Sequence, residues 1–370
     1  MRIALVHDYL SQDGGAERGL RAMHELWPEA PIFTLFHDPE RANPAFRQMR
    51  IVTSPLQRVP LAVRHFRWFL PVMPLATESH DLSGYDLVLS SSSMFAKGVI
   101  TAPETLHLSY CHTPTRFLWT DRRTYLDQNV PTPLRRLLPP IMVALRSWDR
   151  LSVERVDRFI ANSRTVADRI WKYYQRRADV LHPPVDVSAF TVGQGAGGYY
   201  LTGGRLVAYK RFDLAVRAFS KLGVQLKVFG VGPELRALRG MAKRNVEFLG
   251  RVDDIARAAL YHDAVAFVHP QIEDFGITAL EAMASGRPVI AYPAGGATET
   301  VKSGETGIFF DEQSWENLAH TIIRFAPERF DPARIRAHAE QFATPLFLSR
   351  LSAYVTERYR EFRDGRFERR

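Results

Sequence analysis

Between Ala264 and Ala291 the chain runs through an apolar stretch, a turn at Gly276, a helical stretch, a second turn at Gly286-Arg287-Pro288 and another apolar stretch. A strand–turn–helix unit followed directly by another strand is the unit of a parallel sheet covered by helices. The same alternation continues in both directions. The spacing predicts strands at Arg2–Val6, Asp86–Ser90, Leu106–Cys111 and Arg158–Asn162 in the first half. In the second half it predicts them at Tyr199–Thr202, Val224–Phe229, Val246–Leu249, Ala264–Val268 and Pro288–Ala291. The fold class is therefore α/β with parallel sheets.

A chain of 370 residues exceeds one ordinary core, so two domains are expected. The glycine-rich spacer between Phe190 and Gly198 is the natural boundary, giving domains at 1–192 and 193–345. The tail from Leu346 to Phe362 has helical spacing of apolar residues. A hydrophobic content of 46% with 24% charged residues fits a globular protein and not a disordered one. The one cysteine, Cys111, rules out an internal disulfide and reads as a small buried residue at a strand end, consistent with a reducing compartment. The opening run Met1–Val6 is too short for a signal peptide, and no stretch reaches the ~18 apolar residues of a membrane-spanning helix. A cytoplasmic location is expected.

Glu273 and Glu281 stand eight positions apart across the start of the predicted helix. A helix N-terminus offers unpaired amides and a partial positive charge to a diphosphate. A carboxylate before the helix can accept hydrogen bonds from the hydroxyls of one sugar, and a second, about two turns further along, can reach another. Two glutamates at this spacing also arise by chance; here they sit on a strand–loop–helix unit.

At this point the sequence resembles the retaining glycosyltransferases of family 4, over nearly the whole chain. The block Glu273-Asp274-Phe275-Gly276-Ile277-Thr278-Ala279-Leu280-Glu281 is the most specific part. Tyr199–Lys210 is similar to that family's strand followed by Gly-Arg and Lys, and Gly295-Gly296-Ala297-Thr298-Glu299 to its Gly-Gly-x-x-Glu segment, with Gly304 and Gly307 after it. Gly14-Gly15-Ala16-Glu17-Arg18 after the first strand, and His182-Pro183-Pro184-Val185-Asp186, also resemble its pattern. The resemblance implies a GT-B architecture, two facing Rossmann-like domains with a cleft between them. The first would bind the acceptor and the second the nucleotide-sugar, while a terminal helix at 346–370 crosses back to the first.

The resemblance also implies roles. Arg205 and Lys210 would neutralise the diphosphate leaving group, Glu281 would hold the ribose and Glu273 the transferred sugar. The amides of Phe275, Gly276 and Ile277 would approach sugar or phosphates. Gly14 and Gly15 would let a backbone amide approach the donor phosphate. His112, at the end of a strand where α/β sheets place functional groups, would point toward the donor sugar; most histidines are instead structural. His112, Arg205, Lys210 and Glu273 are the candidate catalytic groups. Retention in this family is ascribed to front-face attack, with the leaving phosphate helping to deprotonate the acceptor.

The net charge of +9 is concentrated. From Arg41 to Thr77 there are six arginines and no acidic residue. Arg58, Arg64, Phe66, Arg67 and Trp68 interleave charge with apolar surface, which suits an anionic membrane face. The competing reading is a basic segment packed on its own domain. Nucleic acid is a poorer partner, because no recognised nucleic-acid-binding spacing is present. Absence of Gly-x-Gly-x-x-Gly after the first strand disfavours a nicotinamide or flavin site. No metal and no cofactor are expected, since no cluster has ligand spacing and Asp253-Asp254 read as loop acids.

Glu273-Asp274-Phe275-Gly276-Ile277-Thr278 and Cys111-His112-Thr113-Pro114 resemble bacterial transferases of O-antigen lipopolysaccharide and exopolysaccharide assembly, many of them mannosyltransferases, which implies a retaining, metal-independent hexosyltransferase of surface polysaccharide synthesis. It would sit peripherally on the inner membrane face. The donor would be a nucleotide-sugar, with GDP-mannose the best guess. The acceptor would be a polyprenyl-diphosphate-linked or other oligosaccharide. Two alternatives stand beside it: a non-hydrolysing nucleotide-sugar 2-epimerase, and a non-catalytic membrane-surface scaffold.

Overall fold

The computed structural model describes residues 1–120, 138–193 and 197–367. They form two compact units, Met1–His182 with the tail from Leu348 onward, and Pro183–Phe347.

The sheet of the first unit contains β1 (Ile3–His7), β2 (Ile32–Thr34), β3 (Ile51–Thr53), β4 (Leu87–Ser92), β5 (Leu106–Cys111), β6 (Arg158–Ala161) and β7 (Ala178–Val180). Its order is β3-β2-β1-β4-β5-β6-β7, and every pair is parallel. All six residues of β4 and all six of β5 are buried, because helices cover both faces; such strands need not alternate polar and apolar. The buried serines of β4 have partners. Ser90 Oγ lies 2.9 Å from His107 Nε2 and Ser92 Oγ accepts from the amide of Lys97 at 3.3 Å.

In the second unit the order is β10-β9-β8-β11-β12-β13. The strands are β8 (Tyr200–Gly203), β9 (Leu226–Phe229), β10 (Val246–Gly250), β11 (Phe267–His269), β12 (Val289–Ala291) and β13 (Gly307–Phe309), again all parallel. One apolar cluster, with Phe267, Leu280 and Met283, lies on one side of this sheet. Another, with Phe219, Val228 and Leu318, lies on the other. Both units are thus Rossmann-like.

Four strands carried no signal in the sequence: β2, β3, β7 and β13 have three residues each. Of these, β3, β7 and β13 are edge strands only partly buried, so no apolar run marks them. The second unit begins upstream of the glycine-rich spacer at which the sequence placed the boundary. Val185, Val187 and Phe190 belong to the second unit's core, which draws the divide back to Pro183. Residues 194–196 of the spacer, and 368–370 of the tail, lie outside the described residues. The final helix, Thr344–Arg363, contributes to the first unit from Leu348 on, and its Tyr354 hydroxyl donates to Asp179 at 2.7 Å.

Candidate functional site

In the second unit, β11 ends at His269 and the loop from Pro270 to Gly276 leads into the helix Ile277–Ala284. Gly276 is the N-cap residue, with φ +94°, a left-handed conformation that L side chains resist. A Cβ there would also stand 3.2 Å from His269 Nε2. The loop is held from several sides. Pro270 O accepts from Gln313 Nε2 at 3.0 Å, and Glu273 O accepts from the Gly296 amide at 2.8 Å. Phe275 is buried and its ring meets Phe342 edge-on at 5.7 Å. The Gly295-Gly296 pair has a steric reason here: a Cβ on Gly295 would strike Glu273 O, and one on Gly296 would strike the Phe275 backbone.

Lys210 ends the short turn Ala208–Lys210 after β8. Its Nζ lies 2.6 Å from Glu273 Oε1. A cation, a carboxylate and the amino end of a helix thus meet at one point. Arg205 is exposed, with Nη2 3.5 Å from the Tyr209 hydroxyl. Glu281 is buried on the helix; Tyr261 donates to its Oε2 at 3.3 Å and Arg257 Nη2 stands 3.5 Å from its Oε1. Both partners come from the helix Asp254–Asp263, whose N-cap is Asp253, accepting from Ala256 at 2.7 Å; Asp254 pairs with Arg257.

Sequence reasoning missed two neighbours of this cluster. His269 and Gln271 are fully buried, and neither ring nitrogen of His269 nor either amide atom of Gln271 has a hydrogen-bond partner among the described residues. Burial pushes the His269 imidazole down to about 4, with Glu273 opposing and Lys210 assisting. Its place at the C-terminal end of β11 was the available signal.

In the first unit, β1 ends in His7 and a loop leads to the helix Gly15–Leu26. The Gly14 amide donates to Glu17 Oε2 at 2.9 Å. That amide is therefore taken; the amides of Gly15 and Ala16, in the first turn, have no intrahelical acceptor. Glu17 Oε1 accepts from Gln12 Nε2 at 2.9 Å and lies 3.7 Å from His7 Nε2. Burial alone would raise the Glu17 carboxyl, but the proximity and charge of His7, with Gln12, outweigh it and hold the group below the usual carboxylate value.

His112 follows β5 and is 8% exposed. Its Nε2 lies 2.8 Å from Ser91 Oγ, which is 3.1 Å from His7 Nδ1. His7 Nδ1 is also 3.1 Å from Ser91 O, and His112 O accepts from Asn162 Nδ2 at 3.0 Å. Burial, then the charge of His7, push the His112 imidazole down to about 3. Beside this chain, Asp8 accepts four consecutive amides: Ser93 at 2.6 Å, Met94 at 3.0 Å, Phe95 at 2.8 Å and Ala96 at 2.8 Å. A buried pair, Lys97 Nζ–Asp149 Oδ1 at 2.5 Å, lies under the segment after His112. Asp149 also accepts from Thr115 at 2.7 Å, Trp119 at 2.7 Å and Tyr174 at 2.9 Å.

The basic segment also belongs to the first unit. Arg58, Arg64 and Arg67 are exposed, as are Trp68 at 77%, Leu61 at 65% and Leu75 at 72%. Phe66 differs: its ring packs on Tyr9 at 5.2 Å, so it anchors the segment to the domain. Among the described residues no group of three or more His, Cys, Asp and Glu is placed to hold a metal, and no helix is long and apolar enough to cross a membrane.

Comparison with known proteins covers both units. Residues 13–189 match the family described as Glycosyltransferase Family 4, and residues 195–342 match Glycosyl transferases group 1. A D-inositol 3-phosphate glycosyltransferase of Mycobacterium sp. (strain KMS) is 31% identical over 72% of this chain and 64% of its own length; the chain spans less than two thirds of that relative. An alpha-1,3/1,6-mannosyltransferase of Rhizomucor pusillus is 24% identical over 96% of this chain and 92% of its own. In fold, the chain is similar to HepE of Anabaena, crystallised with UDP, at a TM-score of 0.69 and 16% identity, covering 96% of this chain and 100% of that one. It is similar also to sucrose-phosphate synthase of Thermosynechococcus elongatus, at a TM-score of 0.69 and 18% identity, covering 96% and 99%.

Proposed function

Since the chain belongs to glycosyltransferase family 4, with the GT-B fold class of its structural relatives, we propose that it moves a hexose from a nucleotide-sugar to a lipid-linked or oligosaccharide acceptor with retention of configuration and without a metal. The observation that carries this reading is the Lys210–Glu273 pair at the Gly276 end of a buried helix, with Glu281 on the same helix. A departing nucleoside diphosphate develops negative charge, and fixed cations and amides around it are the main catalytic requirement. Lys210 supplies a mobile point charge and the helix end supplies amides. Arg205, exposed after β8, adds a guanidinium that can grip phosphate bidentately.

Glu281, already aligned by Tyr261 and Arg257, accepts hydrogen bonds from ribose hydroxyls. Glu273 pairs with Lys210. When a sugar diphosphate arrives, Lys210 turns to the phosphate and Glu273 accepts from the sugar. GDP-mannose is the proposed donor, supported by the mannosyltransferase relative; the UDP held by HepE keeps UDP-sugars as the competing set. The arginines and exposed apolar side chains around Trp68 would rest on an anionic bilayer carrying the acceptor, in bacterial surface polysaccharide synthesis on the inner membrane face.

The test is a thermal-shift panel of nucleotide-sugars followed by transfer assays. A binding donor raises the transition temperature by mass action. Transfer to a polyprenyl-diphosphate glycan, with an unchanged anomeric centre and in the presence of a chelator, is the expected result. Full conversion of the donor to its 2-epimer without acceptor would replace this reading with an epimerase. Binding with neither reaction would leave a scaffold.

A further inference from the structure

Four buried groups of the first unit form one line, Glu17–His7–Ser91–His112, with contacts of 3.7, 3.1 and 2.8 Å. The direction of its hydrogen bonds follows from which atoms can only accept. Glu17 Oε1 stands 3.7 Å from His7 Nε2, beyond hydrogen-bond reach, so it does not by itself set the polarity of the His7 ring. The carbonyl of Ser91 only accepts, and it faces His7 Nδ1 at 3.1 Å. His7 Nδ1 therefore presents a hydrogen.

This leaves Ser91 Oγ one role toward each neighbour. Toward His7 Nδ1–H it accepts, so its own proton goes to the remaining atom in reach, His112 Nε2. His112 is kept neutral by burial and the charge of His7, and has a single ring proton. With Nε2 accepting, that proton is on Nδ1. The opposite polarity would set a lone pair of His7 Nδ1 against the Ser91 carbonyl. Among the described residues, His112 Nδ1 has no hydrogen-bond partner.

We propose that Ser91 is a positioning residue that locks His112 in the Nδ1–H tautomer, so that the ring presents a hydrogen-bond donor, and no base, to an oxygen of the bound sugar. This rests on the reading of His112 as a sugar contact given above. Its consequence is that His112 does not deprotonate the acceptor; its Nδ1–H holds a hydroxyl or ring oxygen while another group takes the proton. His7 acts one step further out, its Nδ1 fixing the polarity of Ser91.

The experiment uses the full chain, ligand-free, with nitrogen-15 histidine. The His112 signals are identified by their loss in His112→Gln, and two-bond proton–nitrogen correlations show which nitrogen bears hydrogen. Near neutral pH, Nδ1 is expected to be pyrrole-like and Nε2 pyridine-like. A protonated Nε2, or an average of the two forms, overturns the proposal. Ser91→Ala should release the ring to a mixture and lower turnover roughly 10- to 100-fold, the range for losing a partner that orients a functional histidine, with the donor KM little changed. Ser91→Thr, which keeps the hydroxyl, should restore the single tautomer. An unchanged tautomer in Ser91→Ala overturns the proposal too. Should no donor be turned over by the unaltered protein, the proposed function fails, while the tautomer measurement still decides the role of Ser91.

Discussion

Lys210 Nζ and Glu273 Oε1 stand 2.6 Å apart, with side chains only 12% and 15% exposed. The pair joins the segment after β8 to the loop after β11, two strands adjacent in the sheet. Both charges are thereby fixed beside the amino end of the helix Ile277–Ala284.

Lys210→Ala should lower turnover by on the order of 10²-fold or more, as loss of a preorganised donor to a developing anion commonly does. Steady-state kinetics with saturating donor test this. Turnover near that of the unaltered protein would remove Lys210 from the mechanism.

Gly276→Ala places a Cβ on a residue with φ +94° and 3.2 Å from His269 Nε2. A destabilisation of about 1–3 kcal/mol is expected from the backbone conformation, with weaker nucleotide binding because the amides of the helix end move. Urea unfolding and calorimetric titration report the two separately. An alanine variant with unaltered unfolding midpoint would show that the loop relaxes freely.

Acid should destabilise the fold through its buried histidines. Burial pushes His80, His107 and His269 down to about 4 and His112 to about 3, from an ordinary 6.5. The unfolded chain binds these protons near pH 6.5 and the native state does not until about 3 to 4. Stability is therefore full above about 6.5 and falls as the pH drops toward 4, by about 1.4 kcal/mol per pH unit for each proton the native state excludes. The lowered Glu17 carboxyl acts in the same direction further down. Denaturant midpoints between neutral and mildly acid pH measure the slope; a flat profile would contradict it.

Asp149→Ala leaves Lys97, 1% exposed, without its carboxylate and frees Thr115, Trp119 and Tyr174 at once. Breaking a buried pair by deleting one member costs about 3–5 kcal/mol. A much smaller shift in the unfolding midpoint would mean that water enters and solvates Lys97.

Replacing Arg64, Arg67 and Trp68 together by serine should weaken binding to anionic vesicles. At about 1 kcal/mol per arginine near a charged surface, the partition coefficient should drop roughly tenfold or more. The side chains of Arg64, Arg67 and Trp68 are exposed, so unfolding should hardly change. Cosedimentation with neutral and anionic vesicles separates the charge effect from lysis or aggregation.

What could be read from the sequence follows from burial. Leu106–Cys111 was located to the residue because it is covered on both faces, whereas β3 and β7 lie at edges and carry no apolar run. Glu273, Glu281 and Lys210 were picked out through the family resemblance, and the structure places Glu273 against Lys210 and Glu281 on the helix that follows. The His7–Ser91 contact was not, since its members are 84 positions apart and meet only when β1 and β4 align. His269 and Gln271 escaped for another reason: nothing in their spacing shows that their polar atoms are enclosed without partners.

The four amides that converge on Asp8 have a consequence for what position 8 tolerates. Both carboxyl oxygens receive two donors each, so the equal-sized asparagine would turn an NH2 group toward hydrogens it can only repel. The bend after β4 is an anion cradle of the kind that elsewhere holds phosphate, and here the chain's own side chain already fills it. Any phosphate this domain receives must therefore be met by other amides, and acidic character at residue 8 is what four converging backbone donors require.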